Sequence, residues 1–101
     1  MVKLFSGTNS SSLTKKISKL SAISVAKAEV IRFENSEVRV RIVEDVKNQI
    51  CAVVQTTSNP TDTNIMELLF FGDALKRSGA GKVIAIIPYF GYARQNIQHR
   101  E

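Results

Sequence analysis

The sequence predicts a three-layer α/β domain, in which a mainly parallel sheet is flanked by helices and a β-hairpin projects at about residues 29–43. Residues 50–56 form a continuous apolar run, as expected for a strand that is buried on both faces, and the apolar, β-branched run at 83–88 is of the kind that forms a buried strand. A helical pattern at 65–76 separates them, which favours a parallel pair joined by a crossover helix. Residues 38–42 alternate between apolar and basic side chains, which predicts a hairpin strand with one apolar and one charged face.

The other segments give the order strand, helix, hairpin, strand, helix, strand. A serine-rich stretch at 9–12 offers caps for the first helix. The remaining assignments are a first strand at 2–5, a turn at 6–9, a first helix with an apolar stripe of Leu13, Ile17 and Leu20, a strand at 26–33, a turn at 45–48, a polar loop at 57–64, and a helix end at 78–81.

Composition limits the chain to one domain, residues 1–101, with an ordinary globular content of 44% hydrophobic and 23% charged residues. No apolar run is long enough for a membrane span, and the first residues lack the apolar core of a secretory signal. The single cysteine, Cys51, lies within an apolar strand and is expected to be buried in a reducing compartment. These features favour a cytoplasmic protein with no membrane partner.

The net charge of +5, from 14 basic and 9 acidic residues, favours anionic ligands such as nucleotides, sugar phosphates or nucleic acid. A small nucleic-acid-binding domain is the weakest of these readings, because the chain lacks interleaved aromatic and basic residues. Lysines at 15, 16 and 19 are expected to form a solvated helix face. No spacing of metal ligands and no phosphate-binding glycine loop is present in the sequence.

Two groups of residues are candidates for binding. Phe33, Asn35 and Glu37 alternate, so on an extended segment their side chains point to one face and could stack on and hydrogen-bond a purine. A polar hairpin tip beside a packed aromatic ring is the simpler interpretation of the same spacing. Arg94 and Gln95 follow the last strand, and ligands of open α/β sheets bind beyond the carboxyl ends of strands. The guanidinium of Arg94 suits phosphate oxygens.

These motifs resemble those of the ribose-phosphate diphosphokinases, also called phosphoribosyl pyrophosphate synthetases. The resemblance rests on residues 4–7, 33–37, 55–77 and 83–95, and it covers the front part of a longer family with two similar domains. It implies a phosphoribosyltransferase-like fold. It also implies transfer of the diphosphoryl group of Mg-ATP to the C1 hydroxyl of ribose 5-phosphate, which forms phosphoribosyl pyrophosphate for nucleotide biosynthesis.

The resemblance further implies which residues bind ATP. The hairpin tip would hold the adenine in a site shared with a neighbouring subunit, and the residues after the last strand would also bind ATP. The implied ATP-binding residues are Phe33, Asn35, Ser36, Glu37, Arg94 and Gln95. The family's magnesium ligands and ribose 5-phosphate loop would lie beyond residue 101, so Mg²⁺ is expected only as Mg-ATP.

The likeness weakens after Gln95. Where the family continues with an acidic residue and then basic ones, this chain has Asn96, Ile97 and Gln98. Cations there would neutralise the transferring group, so no catalytic residue is assigned and the 101-residue chain alone is expected to be inactive. His99 is interpreted as a surface residue.

Two readings remain. In the first, the chain works in a homo-oligomer or with a complementing C-terminal chain. In the second, it is a non-catalytic nucleotide-binding or regulatory module, or an inactive remnant. An uncovered apolar face on the hairpin would also favour oligomerisation.

Overall fold

The computed structural model describes residues 2–34 and 37–88, and these form the predicted α/β architecture. The described elements follow the predicted order of strand, helix, hairpin, strand, helix and strand. They are β1 (Val2–Ser6), α1 (Ser11–Ser21), β2 (Ala28–Arg32), β3 (Val38–Ile42), β4 (Ile50–Val54), α2 (Thr61–Arg77) and β5 (Lys82–Ile86).

The main sheet has the strand order β1-β4-β5, and both pairings are parallel. Ala52 at the centre of β4 pairs with Leu4 on one side and Ile84 on the other. The central position of β4 explains its uninterrupted apolar sequence, because both of its faces are covered. Since all three strands run the same way, their carboxyl ends meet at one edge of the sheet.

Alternate residues of the strands build two cores on opposite faces. On the α2 face, Phe5, Cys51 and Val53 pack with Phe71 and Leu75 of the helix. The rings of Phe5 and Phe71 meet edge to face with centroids 5.8 Å apart. The smaller core on the α1 face contains Leu4, Ala52 and Val54, with Ile17 and Ile23 packed against it. The predicted inward side of α2 is therefore confirmed.

The hairpin is a separate two-stranded antiparallel sheet and is not an extension of the main one. Its apolar face is covered within the same chain. Val40 is buried in the larger core, and Ala28, Val30 and Ile42 pack against that core. The expectation of an uncovered apolar face is thus wrong, because α2 lies between the hairpin and the main sheet and covers it.

Two helix details differ from the sequence-based expectations. Helix α2 begins at Thr61, four residues before the predicted start, because the polar residues 61–64 form its first turn. In α1, Leu20 is 91% exposed, so the predicted stripe of Leu13, Ile17 and Leu20 does not form a buried face. The fully buried residue of α1 is Thr14, whose hydroxyl donates to the carbonyl oxygen of Ser10 at 2.7 Å.

The predicted turns are confirmed. Asn48 adopts a left-handed backbone with φ 62° in the turn before β4. Gly79, at φ 94°, follows α2 in a conformation that L side chains rarely adopt. No helix within residues 2–34 and 37–88 combines the length and apolarity that a membrane crossing needs.

Candidate functional site

The carboxyl edge of the main sheet is formed by the loops that follow the three parallel strands. The backbone N–H of Gly7 donates to the Val54 carbonyl at 2.8 Å, and that of Gln55 donates to the Ile86 carbonyl at 3.0 Å. The side-chain amide of Asn9 donates to the Thr56 carbonyl at 2.9 Å, which joins the first two loops. Open α/β sheets bind ligands at this edge.

Close packing fixes the first two loops against each other. A side chain at Gly7 would overlap Gln55, whose Cβ would lie 2.9 Å from the added carbon. Gln55 itself is fully buried, and its Oε1 has no hydrogen-bond partner among the described residues. Gly7 therefore supplies a close approach, and its role is steric rather than conformational.

A buried carboxylate, Glu67 of α2, links this edge to the hairpin. Its Oε2 accepts from the Thr8 backbone N–H at 2.8 Å and from Gln55 Nε2 at 2.9 Å. Its Oε1 accepts from the Thr8 hydroxyl at 2.7 Å and from Arg32 Nη2 at 2.5 Å. Each oxygen thus has two donors, and one of the four donors, the Arg32 guanidinium on Oε1, is a cation. Paired in this way, a carboxylate is tolerated away from water. We call these four residues, Thr8, Arg32, Gln55 and Glu67, the Glu67 cluster.

The Glu67 cluster was not predicted from the sequence. A signal existed: Glu67 lies four and eight residues before Phe71 and Leu75, so helical spacing places its carboxylate on the buried side of α2. A charge at a position that faces the core indicates a partner elsewhere in the fold. The partners come from three distant segments, and the sequence alone does not reveal which donors meet it.

At the hairpin tip, Phe33 and Glu37 face each other, and the backbone N–H of Phe33 donates to the Glu37 carbonyl at 2.9 Å. The pairing of β2 with β3 continues to these residues, so both side chains lie on the same face as Arg39. Phe33 is 48% exposed, and a shallow cleft there is lined by Phe33, Glu34, Glu37, Val38 and Arg39. An exposed ring beside a carboxylate and a guanidinium can stack on a flat base and contact its polar edge.

The remaining predicted site residues, Asn35, Ser36, Arg94 and Gln95, lie outside the described residues, as does His99. Within the described ranges, His, Cys, Asp and Glu side chains form no group of three or more that could hold a metal ion. Cys51 is buried as expected, and burial raises the pKa of its thiol. It belongs to the core and not to the site.

The fold is that of an open α/β sheet, a class of domain in which ligands generally bind beyond the carboxyl ends of the parallel strands. Residues 2–101 match the family described as the N-terminal domain of ribose phosphate pyrophosphokinase. The chain therefore belongs to the ribose-phosphate pyrophosphokinase family, another name for the diphosphokinases it resembles, and corresponds to their N-terminal domain.

Individual relatives agree with this assignment. A ribose-phosphate pyrophosphokinase of Fusobacterium nucleatum is 48% identical over 95 residues, which are 94% of this chain and 30% of that protein. One from Haemophilus influenzae is 45% identical over the same shares. The crystal structure of phosphoribosylpyrophosphate synthetase from Mycobacterium smegmatis matches with a TM-score of 0.91 and 34% identity, over 99% of this chain and 34% of that one. This chain thus spans about a third of the length of the proteins it matches.

Proposed function

We propose that this chain supplies ATP-binding surfaces to a ribose-phosphate diphosphokinase, which transfers the diphosphoryl group of Mg-ATP to the C1 hydroxyl of ribose 5-phosphate. The observation that carries the proposal is the match over residues 2–101 to the family's N-terminal domain. The geometry of the hairpin tip is compatible with it, since Phe33 is exposed and Glu37 lies directly opposite.

Each part of the chain has a proposed role. Phe33 stacks on the adenine, while Asn35, Ser36 and Glu37 contact its polar edge. Arg94 and Gln95 bind ATP beyond the carboxyl end of β5, where the guanidinium of Arg94 suits phosphate. Magnesium, arriving with ATP, would neutralise phosphate charge; no described residue is assigned to it. The proposed setting is the cytoplasm, in a homo-oligomer or with a chain that supplies the C-terminal part.

The decisive experiment is calorimetric titration of the 101-residue chain with Mg-ATP. Phe33→Ala and Arg94→Ala should each weaken binding, whereas Arg41→Ala should not, since Arg41 forms an exposed ion pair with Glu29 at 3.2 Å away from the tip. Failure of the unmodified chain to bind Mg-ATP would refute the proposal. Equal affinities of all three variants would refute the assignment of residues.

A non-catalytic nucleotide-binding or regulatory module is the second candidate. Its support is the run Asn96, Ile97 and Gln98, which replaces the acidic and basic residues of the family at the start of the chemistry loop. Ribose 5-phosphate-dependent formation of AMP from Mg-ATP distinguishes the two. It should be measured with the chain alone and mixed with an extract of its source. Activity that rises when the chain is added supports an enzyme, and ATP binding without that rise supports the module.

A further inference from the structure

The hairpin tip is attached to the rest of the domain by an ion pair at the end of β2. Arg32 is the last residue of β2, and Phe33 follows it directly. Successive side chains of a strand point to opposite faces. Arg32 therefore shares the α2-facing side with Ala28 and Val30, while Phe33 lies on the solvent side. The Arg32 side chain is 37% exposed, and its guanidinium reaches the fully buried side chain of Glu67.

Glu67, the partner of Arg32, is itself held by hydrogen bonds to two other segments. Besides Arg32, Glu67 binds both the backbone N–H and the hydroxyl of Thr8, in the loop that follows β1. It also accepts from Gln55 at the end of β4. Four donors from three segments fix the orientation of the carboxylate, and its Oε1 then gives Arg32 Nη2 a fixed point of attachment. Glu67 thus joins the hairpin tip to the carboxyl edge of the sheet.

The other ion pair of the hairpin does not form such a link. Arg41 contacts Glu29 on the solvent face, where both side chains are more than half exposed. This pair connects the two strands of the hairpin to each other and does not reach the main sheet. Exposed pairs of this kind contribute little to structure or stability.

We propose that Glu67, acting through Arg32, is a positioning residue that holds the hairpin tip in the orientation required for nucleotide binding. In this proposal neither residue contacts the nucleotide. This inference rests on the proposed function in one respect only, the role of the tip as an ATP contact. It predicts that the tip loses alignment when the ion pair is broken, even though the hairpin and the core remain folded.

The test compares Arg32→Ala with the matched control Arg41→Ala on the full 101-residue chain. Amide hydrogen exchange, followed by NMR, is read at Phe33 for the tip and at Val53 in β4 for the global fold. In Arg32→Ala we expect exchange at Phe33 to be faster by about tenfold or more. Exchange at Val53 should also rise, since Glu67 stays buried without its cation, but by a smaller factor than at Phe33. Arg32→Lys, which keeps the charge but not the planar fork, should recover part of the protection. Arg41→Ala should match the unmodified chain at both positions.

Mg-ATP affinity provides the second readout. Arg32→Ala should bind Mg-ATP about threefold to tenfold more weakly, because the binding-competent orientation of the tip is less populated. Unchanged exchange at Phe33 would overturn the inference, and so would faster exchange of equal size at Phe33 and Val53, which indicates a loss of overall stability. Faster exchange at Phe33 with an unchanged ATP affinity would also overturn it. If the unmodified chain does not bind Mg-ATP, the proposed function fails, and exchange at Phe33 alone decides whether the ion pair restrains the tip.

Discussion

Replacing Gly7 by alanine tests how tightly the carboxyl edge of the sheet is packed. The added Cβ would overlap the Oε1 and Cδ atoms of Gln55 and would lie 2.9 Å from its Cβ. Gln55 has little freedom to withdraw, since it is fully buried and its Nε2 donates to the Glu67 carboxylate at 2.9 Å. Either the backbone of the loop shifts or the Gln55 side chain leaves its place.

Both responses are costly, and they set the expected magnitude. Over-packing of a well-filled interior costs about 1–3 kcal/mol. If Gln55 moves instead, its hydrogen bond to a charged carboxylate is lost, which costs roughly 1.5–3 kcal/mol. Because these responses are alternatives, we expect Gly7→Ala to lower the free energy of unfolding by about 1–3 kcal/mol, a substantial share of the roughly 5–15 kcal/mol typical of a domain.

Urea unfolding followed by circular dichroism measures this difference, and Gly72→Ala is the matched control. Gly72 lies within α2 and a Cβ there would meet nothing within 4 Å, so the same substitution should stabilise the helix by roughly 0.5–1 kcal/mol. Adding Gln55→Ala to Gly7→Ala removes the two nearest clashing atoms, so the double variant should lose less stability than the sum of the single losses. A Gly7→Ala chain within about 1 kcal/mol of the unmodified protein, below the cost of over-packing, would show that the reasoning is wrong.

Three further predictions concern single residues. Ala22 ends α1 with φ 59°, so Ala22→Gly should raise the thermal midpoint by relieving roughly 0.5–1 kcal/mol of backbone strain; a lower midpoint would contradict this. Because Cys51 is buried and its pKa is raised, iodoacetamide should label it slowly at pH 8 in water and quickly in urea, whereas equal rates would show that the thiol is accessible.

The backbone N–H of Lys27 and the ammonium of Lys3 lower the pKa of Glu44 below its ordinary value of 4.5, so its stabilising effect is present above that pH and is lost as the pH falls through the folded-state value. Glu44→Gln should therefore be less stable than the unmodified chain at pH 7, with the difference closing in acid; a gap that persists at low pH would contradict the assignment.

The sequence predicted the parts of the fold that depend on local pattern. The uninterrupted apolar run of β4 correctly indicated a strand buried on both faces, and the alternation at 38–42 correctly indicated a hairpin. The expectation of a buried strand was wrong for β5, which lies at an end of the described sheet with Ile84 39% exposed. The predicted start of α2 was wrong because polar residues occur both in loops and in the first turn of helices. The cluster at 61–64 has the composition of a loop, yet it forms the first turn of α2, with Asp62 favourably placed at the positive end of the helix dipole.

The sequence did not predict which elements pack against each other. The apolar face of the hairpin indicated an uncovered surface, but it packs on α2, so this part of the argument for oligomerisation does not hold. The hairpin is separated from α2 in sequence by β4 and two connecting segments, and its pattern shows only that one face is apolar. Which element covers that face depends on where α2, the helix that connects β4 to β5, lies relative to the hairpin.

The Glu67 cluster shows why a stable core and an aligned site are different requirements. Moving a carboxylate out of water has a large free-energy cost. The attraction to its partners roughly offsets that cost, so the net gain in stability is small. An apolar side chain could therefore fill the same volume with comparable stability, provided that its partners also changed. An apolar side chain could not fix the relative orientation of the segments around it, because dispersion contacts have no preferred angle, whereas hydrogen bonds do. What the buried carboxylate adds is the fixed relation between the loop after β1, the end of β4 and the end of β2. Those three segments lie at or beside the surfaces that are proposed here to bind ATP.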